Sequence, residues 1–85
     1  MRLPVIKSLV EFIDKNDEDY IIETTEVLEH VAQAKGIKDE EIVVIGELIS
    51  NMFGALEVAK EIKAGKPEKE ALNEFMKRVM GSIDP

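Results

Sequence analysis

Apolar side chains return every three to four residues along almost the whole chain, and the interruptions coincide with glycine, proline or clustered acids. That period specifies helices and leaves no segment alternating with period two long enough for a convincing strand. Glu41 to Ile45 is rich in β-branched residues, but the helix signals on either side decide against a strand there. The spacing therefore predicts an all-α fold: a compact bundle of four helices with short connections and a long third helix. At 85 residues the chain is one domain, residues 1–85.

The first helix is expected from about Pro4 to Lys15, with Pro4 in the first turn, where a missing N–H costs nothing. Its buried face would be Val5, Ile6, Leu9, Val10, Phe12 and Ile13. The second begins after Asn16 or Asp17, either of which can cap it, and ends at Gly36. Tyr20, Ile21, Thr24, Val27, Leu28, Val31 and Ala32 would form its inner face. Asp39 is expected to cap the third helix, which runs to about Ala64 before Gly65. Pro67 opens the fourth, which places Ala71, Leu72, Phe75, Met76, Val79 and Met80 on one side before Gly81. Connections of two to four residues would set consecutive helices antiparallel.

Composition removes several function classes. With 11 basic and 18 acidic side chains the net charge is -7, which does not suit a nucleic-acid binder. There is no cysteine, hence no disulfide framework, thiolate nucleophile or cysteine-type zinc site. The longest unbroken apolar run is Ile42 to Ile45, and no signal-peptide core precedes it, so a cytoplasmic protein without a membrane segment is expected.

Charge is distributed unevenly. Residues 11 to 29 hold Glu11, Asp14, Asp17, Glu18, Asp19, Glu23, Glu26 and Glu29 against Lys15 alone, which is the whole net charge. One reading is a solvated face whose early acids favour the start of the second helix. The other is a docking surface for a protein partner, formed by Asp17, Glu18, Asp19, Ile22, Glu23, Glu26 and Glu29. Ile22 points with the acids rather than with Ile21, which favours docking.

Gly46, Ser50 and Gly54 recur every four residues on the third helix and form a shallow groove. Either another helix of the same chain crosses there, or a second copy does. Wide apolar faces on all four helices exceed what an 85-residue interior can hide, so a homodimer is expected.

Sites for chemistry are poorly supported. Asp14, Asn16, Glu18, Tyr20 and Ile21 fall at calcium-loop positions, but Asp19 replaces the required glycine and Thr25 the bidentate glutamate. Glu26 and His30 share one helix side, yet the second Glu-x-x-His motif of a di-metal bundle is absent. Glu47 and Asn51 lie one turn apart on an apolar helix, where they fix register or, with Ser50, line a small pocket. Ser82 sits too near the end for the arm-bearing serine of an acyl carrier protein. A helix-turn-helix would begin its recognition helix with Asp39, Glu40 and Glu41, which repel phosphate. No catalytic residue, metal ligand set or cofactor is expected, and the chain reads as a non-enzymatic interaction module. The competing reading is a small-molecule or metal-binding helical protein.

The stretches Leu3-Pro4-Val5-Ile6-Lys7, Asn16 to Thr24, Val44 to Met52 and Glu70 to Asp84 resemble a family of short uncharacterised bacterial all-helical proteins, a domain of unknown function. The resemblance implies an autonomous helical domain. It also implies neighbourhood with thioredoxin-like and peroxidase genes, where a chain without cysteine would serve as a non-thiol accessory.

Overall fold

A computed structural model describes the backbone of residues 1–83 and the side chains of residues 1–79. The elements are α1 (Leu3–Lys15), α2 (Asp19–Val31), α3 (Asp39–Lys63) and α4 (Glu68–Ile83), with no strand among the described residues. The all-α bundle with a long third helix is thus the fold.

Local chemistry sets the ends. Asn16 closes α1 by donating its side-chain amide to the Phe12 carbonyl at 3.1 Å. The cap residue of α2 is Glu18 rather than Asn16 or Asp17, because the Asp17 carboxylate accepts the Asp19 N–H at 3.1 Å in a turn one residue earlier and so leads the chain into α2. At the start of α3 the cap residue is Lys38 rather than Asp39, which lies inside the first turn. The reason is Glu41, whose Oε1 accepts the Lys38 N–H at 2.9 Å and so completes one half of a capping box from the third helical position. Gly65, with φ of 111°, ends α3 in a Schellman turn: its N–H reaches the Ile62 carbonyl, and the Lys66 N–H reaches that of Glu61.

Three further boundaries differ from the sequence expectation. α2 stops at Val31 instead of Gly36, so residues 32–38 form a connection longer than the expected two to four, with Gly36 at φ 83°. α4 starts at Glu68, with the Pro67 carbonyl accepting the Ala71 N–H at 2.9 Å. It also continues through Gly81, because one glycine inside a helix costs only about 1 kcal/mol. The Met80 side chain, expected on the inner face, lies outside the described residues.

The core is built by three helices. Ile6 and Val10 of α1, Ala55 and Val58 of α3, and Ala71, Leu72 and Phe75 of α4 are buried together, with Leu9, Ile13, Ile62, Met76 and Val79 packed against them. All α3 contributions come from its C-terminal half. Phe12, expected inside, is exposed and meets Tyr20 edge-to-face at 5.7 Å.

Helix α2 packs against α3 by a narrow strip in which Ile21 and Thr25 are buried and Leu28 and Ala32 half-buried. Its expected inner face is therefore corrected. Tyr20 and Val27 are 57% and 61% exposed, and Thr24 and Val31 are exposed as well. A helix at the edge of a layer has one main neighbour, so only a narrow stripe of it is hidden. Thr25 fits the strip because its hydroxyl donates to the Ile22 carbonyl at 2.7 Å, so no donor is stranded.

The outcome is a flat slab, 44 × 36 × 16 Å, with a radius of gyration of 13.9 Å. A compact chain of this length would have a radius near 12 Å. Its accessible surface is 6235 Å². Folded monomers of 9.5 kDa expose about 5,000 Å² by the usual mass scaling, which leaves an excess of roughly 1,200 Å². Much of the uncovered apolar surface belongs to α3, where Ile42, Val43, Val44, Leu48 and Phe53 are exposed.

Candidate functional site: an acid-rimmed groove and an uncovered helix face

Where α1 ends and α2 begins, the chain turns beside the C-terminal half of α3. A groove of about 600 Å³ lies there. Val10, Ile13, Ala59 and Ile62 form its apolar floor, and Glu11, Asp14, Asp17, Glu18 and Glu68 rim it, with Lys63 as the basic member. Among the described residues no acid between positions 11 and 29 takes part in an ion pair; the pairs formed are Lys66 with Glu61 and Glu74, and Arg78 with Glu57. With five acids and one lysine, the rim thus presents net negative charge over apolar carbon. Such a surface suits a ligand that is apolar along one side and cationic at its edges.

Of the docking residues expected from sequence, Asp17 and Glu18 line this groove. Asp19, Ile22, Glu23, Glu26 and Glu29 are exposed on α2 outside its lining. Glu11 and Asp14 belong to the charge cluster but not to the expected docking set. Lys63 and Glu68 are distant in sequence from that cluster, and no local pattern announces them.

The small residues of α3 part company. A Cβ on Gly54 would stand 2.9 Å from Phe75 Cζ and 3.4 Å from Ile6 Cδ1, so this glycine admits α4 and α1. Ser50 is half-buried. A Cβ on Gly46 would meet nothing within 4 Å. In-chain packing therefore uses one end of the small-residue groove and leaves the other open.

Asn51 has a structural task. Its Oδ1 accepts the Arg2 N–H at 2.9 Å and its side-chain amide donates to the Glu47 carbonyl at 2.7 Å, which pins the start of α1 to the middle of α3. Glu47, Ser50 and Asn51 line neither the acid-rimmed groove nor the smaller cavity between α3 and α4. Glu26 and His30 are exposed, and no group of three metal-binding side chains forms among the described residues. A smaller cavity of about 210 Å³ between α3 and α4 is crossed by charge pairs. Lys66 there contacts Glu74 and, at 3.4 Å, Glu61, and these carboxylates hold its ammonium above the usual lysine pKa, the Glu74 hydrogen bond most of all. Arg78 reaches Glu57 at 2.7 Å and stacks over Phe75. These contacts brace α4 on α3.

Helix α3 is long and apolar enough to cross a membrane by length and composition, with 22% of its apolar window buried. Its C-terminal half, however, is committed to the protein core through Ala55 and Val58. Fold and surface together define a small, open all-α bundle with more apolar face than its own helices cover. The chain belongs to the family of unknown function DUF6952, whose model matches residues 1–84. No curated protein and no solved structure matches it.

Proposed function

We propose that this protein is a small, non-enzymatic interaction module of the cytoplasm, acting as a homodimer, that docks a protein partner on the acidic surface of residues 11 to 29. The observation that carries the reading is the groove itself: unpaired Glu11, Asp14, Asp17 and Glu18 stand around the floor made by Val10, Ile13, Ala59 and Ile62. A helical segment with an apolar stripe flanked by Lys and Arg satisfies both parts of that surface. The acids then steer encounter, and the floor supplies holding area.

The test is direct binding of a synthetic amphipathic helix carrying Leu on one face and Lys on its flanks, followed by fluorescence anisotropy. Wild type binds, and binding weakens as salt rises. Simultaneous reversal of Glu11, Asp14 and Glu18 to Lys is expected to weaken it at least tenfold. Reversal of Glu23, Glu26 and Glu29, which lie outside the groove lining, should weaken it less. Equal binding by wild type and the first variant contradicts the reading.

A further inference from the structure

We infer that α3 pairs with α3 of a second copy, antiparallel across a two-fold axis, with the Phe53 ring of each chain seated over the glycine at position 46 in the other. The inference rests on the homodimeric part of the proposed function and adds the surface and the register.

Inside the chain, the glycine at 54 exists for an aromatic ring, since Phe75 lies where its Cβ would be. Gly46 offers the same dent with nothing in it. Ile42, Gly46, Ile49 and Phe53 follow one another at spacings of four, three and four, so they share a face about 60° wide at about 100° per residue. Ile42 and Phe53 are exposed there, Phe53 by 50%. Asn51, Ala55 and Val58, which turn toward the core, lie on the opposite side of the helix. One face therefore carries both a ring and the dent to hold it, two turns apart.

A surface with a knob and a matching hole on one helix is complementary to itself under a two-fold rotation. Pairing about a point between Ile49 and Ser50 sets position 46 opposite position 53. The same register sets Asp39 opposite Lys60. Neither is ion-paired among the described residues, so each copy offers a charge that the other lacks. Antiparallel packing also brings the positive end of each helix near the negative end of its neighbour. A parallel pair would set Lys60 against Lys60. The whole-molecule excess of roughly 1,200 Å² is larger than the ~800 Å² that each partner contributes to a standard interface, so the slab has surface enough for one. The acid-rimmed groove uses Ala59, Ile62 and Lys63, on other sides of α3, so dimerisation leaves it open.

The chain has no cysteine, so single cysteines report register cleanly. Under mild oxidation, Ser50→Cys should form disulfide-linked dimers, because the two sites flank the axis. Lys60→Cys should not, because its two copies lie about 30 Å apart along the helices. Gly46→Leu adds a side chain where the Cβ position has nothing within 4 Å, and Phe53→Asp changes a ring that is 50% exposed. Each should weaken dimerisation at least 100-fold in light scattering, with an unchanged helical circular dichroism signal.

Monomeric wild type overturns the inference together with the homodimer. A dimeric wild type that fails to cross-link at position 50, cross-links at position 60, or survives Gly46→Leu overturns the register alone. Flotation of wild type with phosphatidylglycerol vesicles in place of a soluble dimer also overturns it. Loss of peptide binding by an intact dimer would instead strike the groove.

Discussion

Gly54 and Gly46 show what one residue can and cannot reveal. Both are glycines at the same helical spacing, and the sequence permits either to be a site of close approach. Only Gly54 meets a ring, because α4 returns past the C-terminal half of α3 and not past its start. Adding a methyl at 54 places it 2.9 Å from Phe75, and overpacking of this kind costs about 1 to 3 kcal/mol. Gly54→Ala should therefore lower stability in urea titration despite the better helix propensity of alanine. Combining it with Phe75→Leu should lose less than the sum of the single changes, by about 1 kcal/mol or more, as expected for residues in contact. Strict additivity would show that the ring does not fill the dent. Asn51 is a similar case: its place one turn from Glu47 was legible, and its hold on the Arg2 N–H was not, because that bond spans 49 positions.

At the scale of elements, periodicity and breakers located all four helices, since each depends on neighbours within a few residues. Caps shifted where a side chain three positions away took over, as Glu41 did at Lys38. The inner face of α2 was least legible. Apolar residues around Tyr20, Val27 and Val31 are compatible with burial, but burial needs a second neighbour, and α2 contributes no residue to the main core cluster. Helices held by one strip open more readily than helices within a core. Amide hydrogen exchange should therefore run faster in α2 than in α1, the C-terminal half of α3 and the described part of α4. The ordering should persist after Phe53→Asp, since it arises within one chain. Protection in α2 equal to that in the C-terminal half of α3 would contradict the edge position assigned to it.

At the scale of the molecule, the sequence carries the amount of apolar material but not where it goes. Thirteen-residue α1 and sixteen-residue α4 both bury their core residues against the C-terminal half of α3, and Ile42, Val43, Val44 and Leu48 in its N-terminal half stay exposed. The acid groove also emerges only at this scale, because Glu68 and Lys63 reach it from elements far from residues 11 to 18. The broad account is that a slab 16 Å thick leaves apolar helix surface for another molecule to cover. Sedimentation equilibrium of the unmodified chain, from low micromolar to hundred-micromolar concentration, tests this most directly. The account predicts a species of twice the 9.5 kDa chain mass that dissociates on dilution. A mass of 9.5 kDa at every concentration would contradict it.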